Sequence, residues 1–178
     1  RTTAIVGASG SGKTTLVKLL LGYFAPTSGN IFLGDTPLQD YDMTSWRHSC
    51  GVVLQDSHVF SESLARNIAV EDKHIDRTRL RTAARQANLE EFIEKLPLKY
   101  QTTVGAEGVG LSRGQEQRIF IARALYKDPS FVFLDEATNS LDANNERIIT
   151  GNLLDFCKGR TVLIVAHRLS TIRHADKI

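Results

Sequence analysis

The run GASGSGKT, Gly7 to Thr14, constrains this chain more than any other stretch. It satisfies G-x-x-x-x-G-K-[ST], follows the apolar TAIV and precedes TLVKLL, so a strand should enter it and a helix should leave it. The residue types have physical reasons. Gly7, Gly10 and Gly12 let the backbone curl, and with Ala8, Ser9 and Ser11 they bring several N–H groups onto one phosphate. Lys13 supplies a cation for the β and γ phosphates, the Thr14 hydroxyl is a ligand for Mg²⁺, and Thr15 reaches toward the α phosphate. A glycine-rich structural turn would not need the Lys, the Thr and the flanking elements in this register. The chain is read as a nucleoside triphosphate binder.

A second polar cluster fits the first. FVFLDE, residues 131 to 136, is an apolar strand ending in two acids. In open α/β sheets chemistry gathers at the carboxyl ends of strands. Asp135 is placed to hold Mg²⁺, directly or through water, and Glu136 to orient and deprotonate an attacking water. TVLIVAH delivers His167 to the same edge, where it is expected to contact the γ phosphate. GVVLQ ends similarly in Gln55, a candidate for sharing the Mg²⁺ or the water.

These strands are short, uncharged and nearly continuous in apolar residues, and they alternate with helical patterns. Such a pattern implies an α/β fold with a mostly parallel sheet covered on both faces. The first helix should run from Lys13 to about Gly22 with Leu16, Leu19 and Leu20 buried, and NIFLGD should form a further strand. Residues 57–127 turn helical, with one pattern over 77–96 and another opening at Ser112; residues 1–56 and 128–178 carry the strands. At 178 residues this is one domain, with a helical subdomain inserted between the halves of its core.

Composition excludes several classes. A net charge of +2 is too mild for a nucleic-acid partner. No apolar run approaches the roughly 20 residues of a membrane span. Cys50 and Cys157 have no metal spacing and suggest a reducing environment. Arg77, Arg81 and Arg85 recur at helical spacing, but Glu90, Glu91 and Glu94 follow, so a solvated face is the expectation. The abrupt start and end suggest a piece of something longer.

One stretch remains unexplained by these parts. LSRGQEQR, residues 111 to 118, opens a helix: Ser112 can cap it and Gln115 can reach back to close a capping box. Little bulk shields the helix start, and open helix N-termini suit anions.

The order phosphate loop, Gln55, LSRGQ, FLDEATNSLD, His167 resembles the nucleotide-binding domain of ABC transporters over essentially the whole chain. The phosphate loop is shared by many NTPases; LSRGQ just ahead of FLDE is specific. The resemblance implies a P-loop NTPase (RecA-like) core, ATP and Mg²⁺, and ATP hydrolysis coupled to transport. It also implies a second ABC ATPase domain packed head to tail, with Ser112, Gly114 and Gln115 contacting the ATP held by that partner. NSLD, residues 139 to 142, matches the loop that communicates across such a seam, with Asp142 its key acid. HVFSESLARNIA resembles the exporter segment that touches the transmembrane domain, and FIEKLPLKYQTTVGAEGVGLS the exporter lead-in to the signature. The implied location is the cytoplasmic face of a membrane, and peptide or bacteriocin exporters, some fused to a cysteine peptidase, are the nearest likeness.

Departures from the family pattern are informative. Arg113 stands where the signature usually has Gly, and GAE at 105–107 stands where exporters carry GER. The aromatic residue that stacks on adenine upstream of the phosphate loop is not in this sequence, so weak ATP binding is expected of the 178 residues alone. Two other readings stay open: a soluble ABC ATPase of DNA repair or translation, and a regulatory module that holds ATP without hydrolysing it.

Overall fold

The computed structural model describes residues 1–165 and 173–178. They form two compact units, residues 1–54, 129–136 and 159–178 in the first, and residues 55–128 and 137–158 in the second.

The first unit is built on a parallel sheet. Its strands are β1 (Thr2–Ile5), β4 (Cys50–Val53), β5 (Phe131–Asp135) and β6 (Thr161–Val165), in the order β1-β6-β5-β4. β5 lies in register between Phe131↔Thr161 on one side and Cys50↔Phe131 on the other. The outer edge of β1 is occupied by the chain end, where the Ala4 N–H donates to the Lys177 carbonyl at 2.8 Å. This satisfies edge groups that would otherwise be unpaired. NIFLGD supplies only the two-residue β2 (Phe32–Leu33), paired with β3 (Thr36–Pro37) as a separate antiparallel hairpin. Asp35 and the left-handed Gly34 (φ 62°) between them are the reason: the segment turns back on itself before a longer strand can form.

Helix α1 covers Lys13–Leu20, and its buried face is not the expected leucine row. Val17 and Leu21 are buried, whereas Leu16 is 41% exposed. Lys13, Val17 and Leu21 recur every fourth residue and so share one stripe, which the buried Lys13 fixes toward the loop. Left-handed Gly22 ends the helix, with the Tyr23 N–H returning to the Lys18 carbonyl at 2.9 Å, a Schellman closure. Helix α2 (Met43–His48) starts under the Asp42 side chain and hands Trp46 to the core. The Trp46 indole N–H donates to the Leu20 carbonyl at 3.0 Å and its ring meets Phe131 at 4.9 Å. Val17, Leu21, Leu38, Trp46, Cys50, Leu54, Phe133 and Val165 are the core of this unit.

The second unit is helical. It contains α3 (Leu64–Ile68), α4 (Arg77–Gln86), α5 (Glu90–Glu94), α6 (Arg113–Lys127) and α7 (Ala143–Cys157). The single helical pattern expected over 77–96 is broken into α4 and α5. Asn88 takes φ 54° and the Leu89 N–H reaches the Ala84 carbonyl at 2.8 Å, so the first half closes with an asparagine in the left-handed position. Leu80, Ala83 and Ala84 are the buried stripe of α4 at i, i+3, i+4 spacing. The arginines lie on the other side, Arg85 bonding Glu90 at 3.0 Å and Arg81 standing 4.0 Å from it. α6 is buried mainly over its second half, at Ile119 to Ala122 and Ala124 to Tyr126, and ends at left-handed Asp128 before Pro129. Residues 137–158 group with this helical unit, although the sequence pattern of 128–178 assigns them to the strand-bearing core. Contacts made by α7 explain it: the Asn152 side chain donates to the Gln86 carbonyl at 2.7 Å, at the end of α4.

Candidate functional site

Each unit carries one polar centre near a helix start. In the first unit the phosphate loop leaves β1 and enters α1. Gly10 and Gly12 sit at φ 78° and 88°, which an L side chain rarely adopts, and Gly12 is the N-cap of α1. No side chain caps this helix. The loop curls round its own lysine: Lys13 Nζ donates to the carbonyls of Gly7 (3.0 Å) and Ala8 (2.7 Å) and to Ser11 Oγ (3.2 Å). Ala8, Ser9, Gly10, Ser11 and Gly12 are exposed, as is Thr15, so the concave backbone is open to a ligand.

The strand-end acids meet this loop. Thr14 donates its hydroxyl to Asp135 Oδ2 at 2.7 Å across 121 residues of sequence. Asp135 is 1% exposed. A buried carboxylate has acceptor capacity for several donors or a cation, and among the described residues Thr14 is its one side-chain donor. Glu136, the next residue, takes φ 54° while its N–H stays in the ladder to the Val165 carbonyl at 3.0 Å. A non-glycine residue held there stores strain that clusters at functional sites. It marks the point where the chain leaves the sheet.

Thr14 and Asp135 suit a divalent cation of the Mg²⁺ type. Mg²⁺ commonly takes one or two protein oxygens together with substrate phosphates, not an all-protein cage. Among the described residues no cluster of three or more His, Cys, Asp or Glu could hold a metal unaided.

The second unit holds the signature. Ser112 caps α6, its Oγ accepting the Gln115 N–H at 3.3 Å, while Gln115 Oε1 accepts the Ser112 N–H at 2.8 Å. The capping box is therefore closed as the spacing predicts. Ser112 and Arg113 are exposed, and Gly114 packs close to the next loop: a Cβ there would stand 3.3 Å from the Ser140 carbonyl oxygen. Asp142 caps α7, accepting from the N–H groups of Asn144 (3.1 Å) and Asn145 (3.0 Å). The Asn145 backbone bond, followed by the bond from its side chain, holds the Asp142 carboxyl below its ordinary range.

Sequence reasoning missed what joins these pieces. Arg118, two turns into α6, donates to the Gly114 carbonyl (3.2 Å), the Asn88 carbonyl (2.6 Å) and Asn145 Oδ1 (3.5 Å). Asn88 also donates its side-chain amide to Asn145 Oδ1 at 2.7 Å. Burial pulls the Arg118 pKa down, against a smaller upward pull from Asp142. The signature and the NSLD loop are thus held by one network. Gly114 and Arg118 lie in the LSRGQEQR stretch, but nothing local marks Asn88 or Asn145 as their partners. Gln55 follows β4 and is exposed. His167 lies outside the described residues.

With this geometry in place, comparison with known proteins decides the family. The ABC transporter family model matches residues 1–139. The chain belongs to that family. It is an ABC transporter ATPase domain. It is 47% identical over all 178 residues to an ATP-dependent lipid A-core flippase of Saccharophagus degradans, covering 30% of that protein. It is 46% identical over 174 residues, 98% of this chain and 25% of the relative, to the toxin RTX-I translocation ATP-binding protein of Actinobacillus pleuropneumoniae. The structure of a bacterial Atm1-family ABC exporter with ATP bound matches at a TM-score of 0.93 and 38% identity, covering 98% of this chain and 31% of the other. The chain thus spans about a third or less of the relatives it matches.

Proposed function

We propose that this ABC ATPase domain is the motor of a membrane exporter. Two copies, or this domain and a similar one, would close head to tail on two ATP molecules, and hydrolysis would let them reopen. ATP is population-shifting in the ordinary sense: it stabilises the closed pair because only that state offers contacts from both sides. The observation that carries this reading is the Thr14–Asp135 hydrogen bond, which brings a phosphate loop and a buried strand-end carboxylate together as a cation–phosphate site requires.

Residue roles follow. The loop from Gly7 to Gly12 turns its amides toward phosphate, Lys13 balances charge, and Thr15 approaches the α phosphate. Thr14, Asp135 and Gln55 would hold Mg²⁺, which when bound screens phosphate charge and supports departure of the leaving group. Glu136 accepts a proton from the attacking water, and His167 orients the γ phosphate. Ser112, Gly114 and Gln115 are the half-site offered to the other copy's ATP, and Asp142 carries its state across the seam. Residues 58–69 form the face on which a transmembrane domain rests, placing the motor on the cytoplasmic side. The relatives named above carry unlike cargoes, a lipid and a toxin, which supports a cargo chosen outside this chain.

Hydrolysis by the longer protein in vesicles tests the reading. Glu136→Gln should bind ATP as the parent does and release phosphate roughly 10²–10⁴-fold more slowly. Parental turnover in that variant contradicts it.

A further inference from the structure

The helical unit holds a cation that the nucleotide chemistry does not use. Arg123 lies on α6 eleven residues beyond Ser112, on the order of 16 Å along the axis. Its Nε donates to the Asn67 carbonyl at 2.9 Å and Nη2 to the His58 carbonyl at 3.4 Å. The guanidinium stands over the rings of Phe60 (5.2 Å) and Phe120 (5.4 Å). Among the described residues no carboxylate pairs with it, and burial lowers its pKa to about 10. Desolvating a cation without a counter-ion is costly, and helix packing alone would be met by an apolar side chain. What the guanidinium gains instead is grip on two backbone carbonyls nine residues apart.

Those carbonyls belong to a built turn. Asn67 is fully buried, and its side chain accepts the Phe60 N–H (2.8 Å) while donating to the carbonyls of Phe60 (2.9 Å), Glu62 (3.2 Å) and Ser63 (3.2 Å). The 60–63 turn is wrapped on Asn67, and Asn67 is held by Arg123. One turn further along α6 the attachment repeats. The Tyr126 hydroxyl donates to Asp72 and accepts the Asp76 N–H at 3.2 Å, and Lys127 pairs with Glu71 at 3.0 Å. One face of the signature helix therefore grips the stretch from His58 to Asp76. That stretch leaves Phe60 and Val70 substantially exposed, an apolar face for a partner.

We propose that Arg123 is a positioning residue that makes the 58–67 segment and the signature helix one mechanical body, so that a push on the 60–63 turn is delivered at Ser112 and Gly114. The inference rests on the reading of residues 58–69 as the docking face. α6 is a continuous helix from Ser112 to Arg123, so displacement at one end is carried to the other without an intervening hinge. Lysine could keep a cation near the two rings but not the planar fork that reaches two carbonyls.

The test uses the full-length protein in phosphatidylethanolamine–phosphatidylglycerol vesicles, comparing Arg123→Lys, Arg123→Ala and Glu136→Gln with the parent. ATP turnover against ATP concentration and thermal melting are measured for each. Arg123→Lys is expected to melt with the parent and to lose about tenfold in kcat, the KM for ATP staying within about twofold. Adding Phe60→Ala to Arg123→Lys should cost no more kcat than the larger single change, because both sever one linkage. Parental kcat in Arg123→Lys overturns the proposal, as does a kcat loss accompanied by a lower melting point or a raised KM, which marks a purely structural role. If Arg123→Ala does not fold, the lysine variant decides alone. Glu136→Gln separates the two ideas. A silent Glu136→Gln beside a fully active Arg123→Lys sinks only the proposal about Arg123, whereas an active Glu136→Gln sinks the functional reading beneath it.

Discussion

The starts of α1 and α6 are both candidate anion sites, yet the two sequences build them in opposite ways. α1 begins at a left-handed glycine with no side chain capping it, and its lysine is folded back on the loop. α6 begins at a serine locked into a closed capping box. The first start has no side-chain cap and has a cation in place, as a site in its own right would need. The second has already satisfied part of its own backbone, so it is a rigid shape to be presented. On the proposed function, the first start would hold the nucleotide and the second would complete the site.

The largest effect expected from this comparison is at Lys13. Lys13→Ala should abolish ATP binding measured by titration, while Ser112→Ala should leave binding to the phosphate loop nearly unchanged. Equal losses would erase the distinction between the two starts. Gly12→Ala comes next: forcing a Cβ into φ 88° costs roughly 1–2 kcal/mol, so both the melting temperature and ATP affinity should fall. Ser112→Ala should remove a cap worth about 1 kcal/mol, read as lower chemical stability, and Ser112→Asp should restore most of it.

The smallest effect concerns pH. The folded Asp142 carboxyl titrates below its unfolded value, chiefly through the Asn145 N–H. A depressed carboxylate pKa stabilises the fold above the unfolded value, near pH 4, and that contribution is lost as pH falls through the folded value. Asp142→Asn should therefore flatten the acid side of the stability curve, measured by denaturant titration from pH 6 downward. An unchanged slope would show that Asp142 does not hold the start of α7.

Much of this was legible in the sequence because it is local. The capping box needs only Ser112 and Gln115, and the strands β5 and β6 need only their apolar runs. The phosphate loop announces itself by spacing. What was not legible depends on distant partners or on backbone conformation. Asn88 breaks a helix that propensity alone would continue, because a left-handed residue lets Leu89 close back on Ala84. Leu16 turns outward since the stripe of α1 is set by Lys13 and Val17. Arg118 and Arg123 sit in a helical run that reads as ordinary surface and core, yet their donors reach Asn88, Asn145, Asn67 and His58. Glutamate at φ 54° after a strand has no sequence signature either.

The central claim is that each ATP is held by the loop of one copy and the signature of another. Oxidative cross-linking tests it most directly, in the longer protein carrying Glu136→Gln with Ser9→Cys and Arg113→Cys. With Mg²⁺ and ATP present, the two new thiols should join different copies, giving a covalent pair that is not formed without nucleotide. A cross-link confined to single copies, or one indifferent to ATP, would contradict the account.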